Sequence, residues 1–106
     1  MITPRMSAAD VSTAAASLLG APIADVAPLP ASYANETWRV ATTTGTRYVI
    51  KIGPLSLDSK WRAAHRALEL AGAAGVPVAP LVSCAQHAGR LVRAFDWEAY
   101  AKCRNC

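Results

Sequence analysis

Glu36-Thr37-Trp38-Arg39-Val40-Ala41, the loop Thr42-Thr43-Thr44-Gly45 and Thr46-Arg47-Tyr48-Val49-Ile50-Lys51-Ile52 decide the fold. β-Branched and aromatic residues on both sides of a short glycine-bearing loop predict two antiparallel strands, 36–41 and 46–52, joined as a hairpin. Gly53-Pro54 closes the second strand. Strand alternation puts Val49 and Lys51 on one face and Tyr48, Ile50 and Ile52 on the other. A lysine in so apolar a strand must bring its charge to water or to an anion. The residues alone leave two readings open. Either Lys51 is an edge-strand lysine reaching outward along its methylenes, or Val49 lies under a flat ring whose phosphates meet Lys51.

Working outward, Ser7 is a helix N-cap with Asp10 three residues on, close to a capping box. An amphipathic helix then runs to Gly20-Ala21-Pro22, where glycine suits the C-terminal cap and proline cannot continue the helix. Pro28-Leu29-Pro30 stiffens a connector into Ala31–Asn35. After the hairpin, Lys60–Ala74 forms a helix capped by Asp58 or Ser59 and ended by Gly75. Trp61, Ala64, Leu68 and Ala71 recur along its buried stripe. Leu81–Cys84 and Arg90–Phe95 make a second strand pair around Ala85–Gly89. Trp97–Cys106 shows no periodicity, and Trp97 is expected to cap an open end of the domain. The order predicts an α+β fold: an antiparallel sheet of about five strands, one packed helix and an N-terminal helix. The predicted divisions are an N-terminal helix and connector (1–23), a sheet domain (24–98) and a cysteine-containing tail (99–106).

With 106 residues the chain has room for one domain. It is 53% hydrophobic and 17% charged, which excludes a disordered charged tail. The net charge of +4 is scattered over Arg39, Arg47, Arg62, Arg66, Arg90 and Arg93. Without a dense basic block interleaved with aromatics, no nucleic-acid partner is expected. No apolar run is long enough to span a membrane. The segment after Arg5 is too polar for a signal peptide, with Asp10, Ser12, Thr13 and Ser17 in it. Three cysteines, an odd number, speak against a secreted disulfide framework and for reduced thiols in the cytoplasm.

One family matches this series. Ala31-Ser32-Tyr33-Ala34-Asn35 leads into an aromatic-Arg-Val strand. Lys51 sits on the next strand, a helix exits through Gly75-Val76-Pro77-Val78, and two strands end in Leu91-Val92-Arg93-Ala94-Phe95. Over roughly Ala24–Glu98 it resembles the N-terminal, nucleotide-binding lobe of the aminoglycoside phosphotransferase and choline-kinase-like family. The resemblance implies that Lys51 meets the ATP α/β-phosphates and that Ala31–Asn35, with Ser32, is the nucleotide-positioning loop. It implies that Arg93 to Phe95 is the hinge whose backbone pairs with adenine.

The pattern departs from the family in three respects. The loop lacks glycines that let backbone amides approach phosphate. Ala64 stands where the family has the lysine's glutamate partner, and Glu69 is about 140° further around a helix turning ~100° per residue. The catalytic aspartate and magnesium ligands belong to a C-terminal lobe not contained in these residues. The expectation is therefore an ATP-binding-type lobe, inactive alone, whose partners are a nucleotide and a C-lobe or another protein.

Two further readings stay open: a non-catalytic, pseudokinase-like binding module, and a carrier or small zinc-stapled domain. The latter rests on Cys84-Ala85-Gln86-His87 and Cys103-Arg104-Asn105-Cys106, two pairs with the spacing of a Cys3His site. The expected outcome there is no metal. No Ser-His-Asp arrangement, dinucleotide-binding glycine motif or Walker loop is present.

Overall fold

In the computed structural model, which describes residues 6–32, 35–55, 58–75 and 81–102, one five-stranded antiparallel sheet organises the chain. Its strands are β1 (Ile23–Ser32), β2 (Asn35–Thr42), β3 (Arg47–Pro54), β4 (Leu81–His87) and β5 (Arg90–Asp96), in spatial order β1-β2-β3-β5-β4. Helix α1 (Ala8–Leu19) precedes the sheet, α2 (Asp58–Ala73) connects β3 to β4, and α3 (Trp97–Lys102) follows β5 directly. This is the α+β architecture of a kinase N-terminal lobe.

Local chemistry sets the ends of α1. The Ser7 hydroxyl oxygen accepts the Asp10 N–H at 3.2 Å, satisfying one donor the helix cannot. At the far end Gly20 adopts φ +64°, and the N–H groups of Gly20 and Ala21 both donate to the Ala16 carbonyl, a Schellman-type closure. Val11, Ala14 and Ala15 recur on one face and are buried. They pack with Met6 on Trp38 and Val40 of β2, Ile50 and Ile52 of β3, and Val92 and Ala94 of β5. The alanines let the helix lie close to the sheet. The helix therefore shares the sheet's core rather than standing apart as the segment 1–23. Glu36 reinforces the join, accepting the Met6 N–H at 2.9 Å and pairing with Arg90 at 2.8 Å.

Three sequence expectations change. Pro28–Pro30 is not a connector but part of β1, at the sheet's edge, where a missing N–H costs no ladder bond. Helix α2 begins at Asp58 rather than Lys60, so Asp58 and Ser59 are its first two residues. Trp97–Lys102 is helical, so the expected boundary between 98 and 99 falls inside α3. The side chains of Trp61, Ala64 and Leu68 lie outside the described ones; Ala71 is half-buried. No helix among the described residues is long and apolar enough to cross a membrane.

Candidate functional site

Helix α1 covers one face of the sheet, so the chemistry is sought on the other. Pairing across β2, β3, β5 and β4 aligns Thr37, Lys51, Arg93 and Cys84 in one transverse row. The next row is Arg39, Val49, Phe95 and Leu81. Lys51 is on a central strand, which removes the edge-strand reading. Its ammonium Nζ lies 5.8 Å from the centroid of the Phe95 ring and 5.0 Å from that of Tyr100, within cation–π range. No carboxylate among the described residues reaches ion-pair distance of it. Arg93, only 7% exposed, stacks its guanidinium 5.6 Å from the same Phe95 ring. Burial pushes the Arg93 pKa below its ordinary value, while nearby Cys84 and Tyr100 act the other way. An arginine remains protonated through such a shift, so the row holds two adjacent positive charges.

Val49 is fully buried and Phe95 nearly so. Among the described residues, Leu81, Trp97, Ala99 and Tyr100 pack against them. Three of these four residues come from α3, whose first turn is capped by Asp96, the carboxylate accepting the Ala99 N–H at 2.9 Å. The Phe95 and Tyr100 rings are tilted at 44° with centroids 6.1 Å apart. A polar cleft of about 250 Å³, lined by Gly45, Thr46, Arg47, Asp96 and Glu98, opens beside α3.

The structure thus gathers Lys51, Val49, Arg93 and Phe95 on one face. Ser32 is the Cα partner of Asn35 at the β1–β2 turn. Asn35 is two residues along β2 from Thr37, so that turn sits at the Lys51 end, roughly 7 Å along the strand from the cationic row. Tyr33 and Ala34 lie outside the described residues. Arg93 and Ala94 pair with β3 on one side and β4 on the other, so that stretch is sheet interior. Asp96 pairs with Tyr48 of β3 and has no β4 partner among the described residues. Cys84 and His87, three apart on β4, point to opposite faces of the strand. That differs from the one-turn knuckle a zinc pair needs. Cys103 and Cys106 lie outside the described residues, and among those described no three metal-ligating side chains cluster. Sequence reasoning missed Tyr100 and Glu36; an aromatic three residues after Trp97 was the available signal for the first.

A family model described as phosphotransferase enzyme family matches residues 25–105. No curated protein and no solved structure matches the chain.

Proposed function

The chain belongs to the phosphotransferase enzyme family, and on that premise we propose that it is the nucleotide-binding lobe of a small-molecule kinase, with ATP held on the face that carries Lys51. The observation that carries this reading is the Lys51–Arg93 pair on neighbouring strands. Like charges placed opposite each other in a sheet repel, and a polyphosphate turns that cost into attraction. Lys51 meets the α/β-phosphates, and Arg93, reached less easily, adds field from beneath. Val49 and Phe95 form the apolar floor for the base, and the β1–β2 turn that contains Ser32 is the nucleotide-positioning loop. Backbone recognition of adenine falls at Asp96 and beyond, where β5 has no β4 partner among the described residues, rather than at Arg93–Phe95. A C-terminal lobe, in the same polypeptide or another, supplies the catalytic aspartate and the magnesium ligands. The acceptor class is a small hydroxyl-bearing molecule, and the setting is the cytoplasm, where ATP is plentiful.

A second reading, a scaffold module that binds no nucleotide, is favoured by α3 lying over Val49 and Phe95. Calorimetric titration of the chain with ATP, with and without magnesium, separates the two. Binding that disappears in Lys51→Ala, with the circular dichroism unchanged, supports the nucleotide reading. Binding that survives Lys51→Ala unaltered overturns the assignment of Lys51.

A further inference from the structure

We propose that α3 is a displaceable plug: Trp97, Ala99 and Tyr100 seal the Val49–Phe95 floor, and a nucleotide base enters only as α3 lifts away. The inference rests on the nucleotide reading above and adds a regulatory step to it. The floor is already dry, with Val49 at 0% and Phe95 at 5% exposure, and among the described residues α3 supplies three of the four side chains packed on it. Tyr100 also sets its ring 5.0 Å from the Lys51 ammonium. In that position the ring occupies the approach to the charge a phosphate would neutralise. Base and phosphate subsites are therefore both blocked by one short element.

The element is built to leave. It has six residues, none of them fully buried, and a helix of that length does not persist without tertiary contacts. It begins immediately after β5, so the Asp96–Trp97 junction is the point about which its N-terminal end can turn. Among the described residues it is held by the Asp96 cap, the ring contacts of Tyr100, the packing of Trp97 and Ala99, and an exposed Arg47–Glu98 pair at 4.0 Å. A binding site open for only a fraction of the time has its apparent Kd raised by the inverse of that fraction. If α3 is docked nine-tenths of the time, loosening it tightens ATP binding by up to about tenfold.

The test uses the full chain, ATP as probe, and two variants: Asp96→Ala, which removes the cap, and Tyr100→Ala, which removes the ring. Calorimetry gives affinity, and amide hydrogen exchange reads residues 97–102 with and without ATP. Both variants are expected to bind ATP roughly three- to tenfold more tightly than the unmodified chain, and ATP should speed exchange across α3 in that chain. Equal or weaker binding in the variants, with α3 amides equally protected when ATP is bound, overturns the plug while leaving the nucleotide reading intact. ATP binding by none of the three chains overturns the nucleotide reading, and the plug with it. Should Asp96→Ala fail to fold, Tyr100→Ala decides alone.

Discussion

Lys51 of β3 and Arg93 of β5 are direct cross-strand partners, and both cations lean on one aromatic ring, that of Phe95. The ring's electron-rich face tempers a juxtaposition that would otherwise favour separating the strands. Such contacts are worth ~0.5–2 kcal/mol each, depending on exposure. What they cannot do is cancel the charge, and the pair remains a local source of positive potential on a face that α1 leaves uncovered.

Replacing Lys51 by Met should therefore cost binding and not folding. The repulsion with Arg93 disappears along with the ring contacts, so stability should change by less than ~1 kcal/mol. Affinity for inorganic tripolyphosphate should fall at least tenfold, ~1.4 kcal/mol. Thermal melts and calorimetry at two salt concentrations check both halves; a loss of more than ~2 kcal/mol in stability would make Lys51 a structural residue.

Glu36 and Arg90 behave oppositely. Their side chains are 19% and 18% exposed, and the contact is 2.8 Å, so solvent screens them far less than a surface pair. Glu36→Gln should destabilise by ~1–3 kcal/mol, because Arg90 keeps a charge in a half-buried place. A double-mutant cycle with Arg90→Met should return a coupling of ~1 kcal/mol or more; additive effects would show that the pair adds nothing of its own.

Ala88 is the one non-glycine residue with positive φ among those described, at +51°, and Gly89 follows at +75°. Two successive positive angles in a two-residue hairpin loop are the signature of a type I′ turn, which favours Asn-Gly. Ala88→Asn should raise stability by ~0.5–1 kcal/mol. Urea unfolding at unchanged m-value would register it as a shifted midpoint.

At Gly20 a Cβ would meet nothing within 4 Å, so crowding plays no part there. Gly20→Ala nevertheless should cost ~1 kcal/mol, since φ +64° strains any L side chain. A melting temperature equal to that of the unmodified chain would mean that α1 ends differently in solution.

Much of this molecule was legible before any coordinates. The 36–52 hairpin, the Ser7 and Gly20 caps and the strand around Leu91–Phe95 follow from local residue chemistry, which periodicity and capping report well. What escaped depends on neighbours. Two prolines made 28–30 look like a connector, yet an edge strand tolerates them because its outer side has nobody to bond. The resemblance assigns the adenine hinge to Arg93–Phe95, and those residues do not tell which strands accompany them on either side. The residues put Val49 under a ligand's ring; that Trp97, Ala99 and Tyr100 pack against it is not announced, because α3 is too short to show periodicity.

The two edges of the sheet differ in what they permit between molecules. β1, the strand at one margin, contains Pro28 and Pro30, neither of which has an N–H to offer. That margin offers incoming chains a row with two donors missing. On the opposite margin β4 contains no proline and exposes Val82 at 48%. Edge-to-edge stacking of unlidded sheets, the usual first step of fibre growth, is thus blocked along one border and resisted much less along the other.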